Sequence, residues 1–281
     1  MLEKVKRMLK EIIALWPRAD FSTWFGNLVI LAIGLPSIIR NGDLKKARER
    51  MFGKKYRFRV FGKNIVLDGA YFGRATEIYV RGVYFSLPKF KFNPDMVVFD
   101  LGANTGIFTI LAALCSKKVV AIEAVREYID HMKENLRINS CLNKASVVWG
   151  IIGGGSGMFA NPQIREKCFG DNPPPVFSFD ELMEKEGVDK VDFLKIDIEG
   201  SEFELFKKKE NWFSRVHYIV MEVHNSFLSD GVVIPGGNIQ KIADNLKESN
   251  FNVKLVDLDG KVVSKIKGDA GYLFAENLAF S

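Results

Sequence analysis

The alternation of apolar strands with amphipathic helices from residue 96 onward constrains the fold of this chain more than any other feature. Strand-like segments are MVVFD, KVVAIE, ASVVWG, VDFLKID, VHYIVMEVH, FNVKLVDL and GYLFAENLAF, and helix-like segments separate most of them. Strands that are apolar on both faces indicate a parallel sheet that helices cover on both sides. The pattern therefore predicts a doubly wound, mostly parallel α/β sheet. Because no helix separates the last two strands, we expect them to form an antiparallel edge hairpin.

The first third of the chain differs from the rest in charge and in pattern. Residues 1–95 contain 19 basic and 8 acidic residues, net +11, whereas the remainder contains 21 basic and 26 acidic residues, net −5. Apolar residues at helical spacing over residues 1–16 predict an amphipathic helix that ends at Pro17. The alternating segment YRFRVFGKNIV predicts a β-hairpin that turns at Gly62. We therefore expect an accessory segment of helices and a hairpin.

Aromatic residues in this basic hairpin raise a nucleic-acid alternative. Tyr56, Phe58 and Phe61 lie among lysines and arginines, and rings beside positive charge can hold single-stranded RNA. A half-buried hairpin with a solvated basic face explains the same pattern, and no RNA-binding motif accompanies the charge. We favour the structural explanation and do not expect a nucleic-acid partner.

The uncharged stretch FSTWFGNLVILAIGLPSII lies between Asp20 and Arg40. Its polar residues, glycines and proline make it a weak candidate for a membrane-spanning helix. Packed helices of a cap, which could also form a homo-oligomer contact, are favoured over peripheral membrane contact through residues 21–40. The three cysteines form neither a C-x-x-C motif nor a Cys/His cluster, which argues against a disulfide framework and a zinc site. The sequence therefore indicates a cytoplasmic protein, with membrane association as the alternative.

A glycine-rich turn follows the first strand of the α/β part, in VVFDLGANTGIF. Glycines let a backbone turn tightly and approach a ligand, and amides at the following helix start can donate to it. The second strand ends at Glu123, where an acid accepts hydrogen bonds from ribose hydroxyls in doubly wound folds. These features predict a nucleoside cofactor and leave NAD and S-adenosylmethionine open. The candidate cofactor-binding residues are Asp100, Gly102, Ala103, Asn104, Thr105, Gly106, Glu123 and Ala124.

The glycine spacing bears on the choice between these cofactors. D-L-G-A-N-T-G lacks the G-x-G-x-x-G spacing that seats a pyrophosphate on a helix start, and a sulfonium amino acid needs no phosphate cradle. The second glycine-rich run, GIIGGGSG at residues 150–157, is not followed by G-K-[ST] and does not support a P-loop. We expect it to form a mobile loop that borders the adenine.

These segments resemble the FkbM-type S-adenosylmethionine-dependent methyltransferases. The resemblance rests on VVFDLGANTGIF, VVAIEA, FSFDELM, VDFLKIDIEGSEFELF and IVMEVH. It implies a class I methyltransferase fold with a seven-stranded sheet over residues 76–281, preceded by an accessory or cap segment over residues 1–75. It also implies S-adenosylmethionine as cofactor and methylation of a hydroxyl on a sugar, polyketide or related small molecule. The chain departs from the family at Ala124, Val125 and Phe179, none of which removes a charge that the chemistry needs.

Charged residues end the fourth and fifth strands of the predicted sheet. Lys195, Asp197 and Glu199 follow the fourth strand, and Glu222 and His224 end the fifth. Ligands of such sheets bind beyond the carboxyl ends of the central strands. We therefore expect these five residues to converge near the transferred methyl, with Asp197 also at the cofactor. Residues two apart share a side of a strand, so Lys195 can interact with Asp197, and Glu222 with His224.

A hydroxyl acceptor must lose a proton, which calls for a general base. His224 is the first choice because an unperturbed imidazole titrates near pH 6.5, and Asp197 and Glu199 are the carboxylate alternatives. A histidine that only orients Glu222 is the structural alternative. The carboxylates could instead bind Mg²⁺, but Lys195 beside them counts against a metal, and we predict none.

The remaining acids of IDIEGSEFE have a local explanation. Ser201 and Glu204 predict a capping box at the start of a helix, and Glu202 complements the helix dipole.

A non-catalytic protein is the second functional hypothesis. A scaffold protein of this kind would keep the nucleoside pocket and be held at a membrane by its first segment. The acids at Asp100, Glu123 and Asp197 favour the enzyme.

Overall fold

The chain divides into two compact units, Met1–Gly82 with Arg137–Ser140, and Val83–Leu136 with Cys141–Ser281. The first unit is therefore somewhat longer than the accessory segment that the sequence predicts. In the computed structural model, residues 13–26, 28–29, 32–33, 53–153, 157, 159, 161–229, 232–235 and 237–280 are described.

Strands and helices alternate after residue 96, as the sequence pattern predicts. Before that point lie β1 (Lys55–Val60), β2 (Lys63–Asp68) and α1 (Phe72–Ala75). The elements that follow are β3 (Val97–Leu101), α2 (Ile107–Cys115), β4 (Lys118–Glu123), α3 (Arg126–Ile138), β5 (Ala145–Trp149), β6 (Ile151–Ile152), α4 (Pro162–Phe169), β7 (Val176–Phe177), α5 (Phe179–Lys185), β8 (Val191–Ile196), α6 (Glu202–Leu205), β9 (Val216–His224), β10 (Ser226–Ser229), β11 (Val232–Pro235), α7 (Ile239–Glu248), β12 (Phe251–Val256), β13 (Val262–Val263) and β14 (Ala270–Asn277).

The main sheet has the strand order β13-β12-β14-β9-β8-β3-β4-β5. The five strands from β9 to β5 pair in parallel, and β14 is antiparallel to both of its neighbours. The predicted doubly wound, mostly parallel sheet is confirmed. Because the strand order changes direction at β3, the carboxyl ends of β3, β8 and β4 form the crevice in which such folds bind ligands.

Two details of the sheet differ from the prediction. The sheet has eight strands rather than seven, because the two-residue strand β13 pairs with the outer side of β12. The last two long strands do pair, but β14 lies inside the sheet, between β12 and β9, rather than in an edge hairpin. Most residues of β14 are buried on both faces, whereas β12 alternates between buried and exposed positions. Burial of the more apolar strand therefore decides which of the two lies inside.

The predicted hairpin is confirmed in the first unit. Strands β1 and β2 pair antiparallel, and both turn residues, Phe61 and Gly62, have positive φ. Tyr56 and Phe58 are only 5% and 1% exposed, so they form the apolar face of the hairpin and cannot stack on nucleotide bases, whereas Phe61 in the turn is 48% exposed. This burial supports the structural explanation of the basic hairpin over the RNA alternative.

Much of the chain before the hairpin lies outside the described residues. Residues 1–12 of the predicted helix and residues 27, 30–31 and 34–39 of the uncharged stretch lie there. Within the described part, residues 13–15 and 21–26 are helical, and Trp16–Arg18 form a 3₁₀ turn that contains Pro17. No helix among the described residues is both long enough and apolar enough to cross a membrane.

Candidate active site

The glycine turn after β3 requires its glycines for steric reasons. Gly102 has φ +74°, and a Cβ atom there would lie 1.8 Å from the main-chain oxygen of Asp197. Gly106 has φ +82°, and its Cβ would lie 2.5 Å from Cγ of Met132. Asn104 between them also has a positive φ. The turn therefore packs directly on the residues that follow β8, which brings the ends of the two strands together.

Glu123, at the end of β4, holds this turn through its backbone amides. Its Oε2 accepts from the amide of Asn104 at 2.7 Å, and its Oε1 accepts from the amide of Val125 at 2.8 Å. Burial raises the pKa of this carboxyl, and the amides act in the opposite direction. Each oxygen keeps a second lone pair, so the carboxylate can still accept from hydroxyl groups.

Asp100 and Lys195 form a buried ion pair beneath the turn. Nζ of Lys195 lies 3.0 Å from Oδ1 of Asp100 and donates to the main-chain oxygen of Gly102 at 2.9 Å. The hydroxyl of Thr109 donates to Oδ2 of Asp100 at 2.6 Å. Both charged side chains are almost fully buried. The sequence predicted a ligand contact for Asp100 and a catalytic role for Lys195, but this geometry suits the support of the turn.

A row of polar side chains runs from Lys195 across the ends of β8 and β9. Asp197 Oδ2 lies 4.0 Å from Lys195 Nζ, and the Tyr84 hydroxyl donates to the same oxygen at 3.1 Å. The Tyr84 oxygen is also 3.5 Å from Oε2 of Glu222. Oε1 of Glu222 lies 3.7 Å from Nε2 of His224. The expected contacts of Lys195 with Asp197 and of Glu222 with His224 are both present, because residues two apart share a side of a strand. The parallel pairing of β8 with β9 places the two pairs side by side.

His224 ends this row and is surrounded by carboxylates. Burial by itself lowers the pKa of the imidazole, but Glu202, Glu222 and Glu199 together raise it to about 9. Nδ1 lies 3.9 Å from Oε1 of Glu202. With its pKa at about 9, the ring is mostly protonated at neutral pH. That charge state bears directly on its predicted role as a base.

The turn between β8 and α6 is built differently from the predicted capping box. Glu199 and Gly200 both have positive φ, at 53° and 96°. Ser201 has helical dihedral angles and makes no side-chain capping hydrogen bond. Oε2 of Glu202 instead accepts from the amide of Gly200 at 2.8 Å. The capping-box prediction was wrong, because a left-handed turn delivers Ser201 already in the helical conformation, and a side chain cannot cap from there.

Tyr84 and Glu202 are the two site residues that the sequence did not reveal. Tyr84 lies in the short 3₁₀ turn Val83–Phe85, before the first strand of the sheet and outside any motif. Glu202 was assigned to the helix dipole, although its side chain is fully buried beside His224. The signal that could have identified Glu202 is its position two residues after Gly200, at the first residue of a helix too short to need a dipole partner.

Gly153 and Gly157 of the second glycine-rich run pack on the turn between β8 and α6. A Cβ atom at Gly157 would lie 2.4 Å from the main-chain oxygen of Glu199, and one at Gly153 would lie 3.2 Å from that of Ser201. Residues 154–156, where the sequence predicted a mobile loop, lie outside the described residues. Because they have no side chain, Gly153 and Gly157 can approach the residues after β8 closely.

The glycine turn after β3 also offers unused hydrogen-bonding capacity to a ligand. Oγ1 of Thr105 is buried and has no hydrogen-bond partner among the described residues. Together with the free lone pairs of Glu123, it provides polar contacts of the kind that a nucleoside requires. In the described part of the chain, no group of three or more His, Cys, Asp or Glu side chains has the arrangement of a metal site.

Comparison with known proteins places this geometry in a family. Residues 100–253, more than half of the chain, match the methyltransferase FkbM domain. The chain belongs to the FkbM methyltransferase family. Its matched region begins at Asp100 and includes the glycine turn, Glu123 and the row from Lys195 to His224. Membership of this family of methyltransferases supports the predicted cofactor, S-adenosylmethionine.

Curated relatives match part of this FkbM chain. The hexuronic acid methyltransferase AglP of Haloferax volcanii is 29% identical over 142 residues, which are 46% of this chain and 56% of AglP. The uncharacterized protein MJ1452 of Methanocaldococcus jannaschii is 47% identical over 49 residues, 17% of this chain and 19% of that protein. The chain thus spans about half the length of AglP and a smaller part of MJ1452.

Solved structures of methyltransferases are also similar. The match to the precorrin-6y C5,15-methyltransferase of Geobacter metallireducens covers 70% of this chain and 89% of that chain, with 14% identity and a TM-score of 0.41. The match to the protein SMU.1697c of Streptococcus mutans, in complex with SAH, covers 66% of this chain and 91% of that chain, with 10% identity and a TM-score of 0.41.

Proposed function

We propose that this protein transfers a methyl group from S-adenosylmethionine to a hydroxyl of a sugar or related small molecule. The observation that carries the proposal is the polar row that begins at the glycine turn and ends at His224. Methyl transfer to oxygen needs a cofactor site and a proton-accepting site side by side, and this row joins two such sites. The similarity to a hexuronic acid methyltransferase supports a sugar as the acceptor.

Residues around the glycine turn are suited to hold the cofactor. Glu123 would accept from the ribose hydroxyls, and the Thr105 hydroxyl and the turn amides would supply further polar contacts. Asp197 would face the ammonium group of the cofactor, because its carboxylate is partly exposed beside the turn. When bound, S-adenosylmethionine supplies an electrophilic methyl on a sulfonium. The protein contributes alignment of the acceptor and exclusion of water.

His224 is the proposed proton acceptor for the hydroxyl. Its neutral form is scarce at pH 7, but a base with a high pKa accepts a proton more readily than a carboxylate does. Glu222 and the Tyr84 hydroxyl lie between His224 and Asp197, where they can hold the hydroxyl in line. Asp197 and Glu199 are the carboxylate alternatives for the proton acceptor.

Calorimetric titration tests the cofactor. We expect S-adenosylmethionine to bind to the wild-type protein and NAD to give no heat, because the glycine turn has no pyrophosphate seat. Glu123→Gln should weaken S-adenosylmethionine binding about tenfold or more, since it removes a charged hydrogen-bond acceptor. Glu127→Gln, on the exposed face of α3, is the matched control. Absence of S-adenosylmethionine binding to the folded protein would refute the proposed activity.

We further propose that the first unit touches a membrane surface without crossing it. Phe21 and Phe25 stack at 5.7 Å and remain 65% and 51% exposed, and Trp16 beside them is also exposed. The surrounding segment is strongly basic. Exposed aromatic rings next to positive charge are typical of proteins that bind anionic lipid surfaces. Packed helices of a cap, which the sequence favours, and a homo-oligomer contact through the same rings are the competing predictions.

A further inference from the structure

Glu202 is a fully buried carboxylate whose position no helix-forming role explains. Helix α6, which it begins, is only four residues long. One oxygen of Glu202 accepts from the amide of Gly200, and the other faces Nδ1 of His224 at 3.9 Å. A buried carboxylate is costly unless it is paired and hydrogen-bonded. The turn satisfies one of its oxygens, and the imidazole is the charged partner of the other.

We propose that Glu202 is a positioning residue that fixes the ring orientation and the tautomer of His224. The nitrogen that carries the proton in a neutral imidazole is set by the partner of the other nitrogen. The separation of 3.9 Å between Nδ1 and Oε1 of Glu202 is an ion-pair distance and too long for a hydrogen bond. The buried negative charge of Glu202 favours the proton of the neutral ring on Nδ1, and the lone pair then lies on Nε2, 3.7 Å from Oε1 of Glu222. This orientation presents the accepting nitrogen to the proposed acceptor side. The catalytic consequence rests on the proposed function, whereas the tautomer does not.

Among the nearby carboxylates, Glu202 has the largest influence on the tautomer of His224, because it is the one best shielded from water. The titratable groups facing the imidazole are Glu202 on α6, Glu222 on β9 and Glu199 in the turn after β8. The Glu222 side chain is 19% exposed, whereas Glu202 has no exposed surface. On the neighbouring strand β14, Ala270 pairs with His224 and carries no charge. The next acid along, Asp269, accepts from the Ser226 hydroxyl at 3.4 Å.

Histidine NMR tests the proposal without an assay of activity. The chain has three histidines, so isotope-labelled histidine gives a simple spectrum that His224→Ala assigns. We expect Glu202→Gln to lower the His224 pKa by about one unit or more, because the nearest buried negative charge is lost. Glu204→Gln is the matched control, since the same substitution falls two residues away on an exposed side chain. It should change the pKa by less than about 0.3 units.

The wild-type protein gives a second reading that does not depend on how the variant folds. Above pH 9, the ¹⁵N shifts of neutral His224 should report a proton on Nδ1, the nitrogen nearest Glu202. A proton on Nε2 instead, or an unchanged His224 pKa in folded Glu202→Gln protein, would overturn the proposal.

A rate measurement separates this inference from the proposed function. In an active enzyme, Glu202→Gln should move the rising part of the pH–rate profile to lower pH by the shift that NMR records, and Glu204→Gln should leave it in place. If the wild-type protein methylates no acceptor, the proposed function fails, and the NMR result still decides the role of Glu202. A Glu202→Gln profile that keeps the wild-type midpoint would count against the positioning role.

Discussion

At the scale of single residues, backbone geometry explains the glycine turn before any ligand is considered. Gly102 contacts the main chain of Asp197 so closely that no side chain fits, and Gly106 is similarly confined by Met132. The turn after β3 can therefore lie against the residue after β8, and against α3, only because these two positions lack a Cβ. Gly102, which the motif marks as cofactor-binding, is therefore also needed for the packing of the fold.

Gly102→Ala should therefore cost far more stability than another glycine at positive φ. Gly187 provides the comparison, because it has φ +61° but nothing within 4 Å of its Cβ position. We expect Gly187→Ala to cost about 1 kcal/mol from backbone strain alone. Overpacking should add at least about 2 kcal/mol for Gly102→Ala and weaken S-adenosylmethionine binding. Urea unfolding and calorimetry of both variants measure this, and equal losses of stability would contradict the packing argument.

His224 predicts a pH dependence whose direction follows from its charge. Carboxylates raise its pKa to about 9, so the neutral ring needed for proton acceptance is a minority below that pH. The rate should rise about tenfold per pH unit between pH 6 and 8 and level off near pH 9.

Initial rates with an identified acceptor would show this profile, and His224→Ala should abolish the slope. Glu222→Gln should lower the midpoint, since it removes one of the charges that raise the pKa. A wild-type rate that is constant above about pH 6 would instead indicate a carboxylate base.

At the scale of secondary-structure elements, the chain contains two S-x-x-E segments, and only one of them caps a helix. Ser178 has extended dihedral angles, and Ser178 and Glu181 form a complete capping box before α5. Ser201 has helical angles instead. A cap residue needs an extended backbone so that its side chain can reach back to the first turn. The preceding turn therefore decides which serine is a cap, and the motif alone does not.

Ser178→Ala should destabilise the protein by about 1 kcal/mol, because the amide of Glu181 loses its acceptor. Ser178→Asp keeps an acceptor at the cap and should recover most of the loss. Thermal unfolding at one pH compares the two variants with the wild type. If both substitutions have the same effect, the hydrogen bond is not the source of the stability.

At the scale of the whole molecule, charge and exposed aromatic rings coincide in the first part of the chain. Residues 1–95 carry a net charge of +11, and the remainder carries −5. Ionic attraction to an anionic surface falls with added salt, whereas burial of aromatic rings does not. The two contributions to membrane contact can therefore be measured separately.

Flotation with vesicles should show binding to anionic lipid that weakens as salt increases, and little binding to neutral lipid. A Phe21→Ser, Phe25→Ser double variant should lose most of the binding. Leu258→Ser, at another exposed apolar residue, is the control and should bind like the wild type. Two outcomes would favour the competing contact between copies of the chain. One is vesicle binding that neither salt nor the double variant weakens. The other is that the wild-type protein dimerises without vesicles and the double variant does not.

The sequence by itself determined the doubly wound sheet, the glycine turn and the acids at the strand ends. These features are local: apolar periodicity, glycine positions and charge each leave a mark within a few residues. Only the tertiary structure decided that β14 lies inside the sheet, that Lys195 pairs with Asp100, and that Tyr84 joins the row. It also showed that Glu202, which the sequence assigned to the helix dipole, is a buried partner of His224. These are contacts between distant parts of the chain, and packing and burial choose among partners that the sequence leaves equally available.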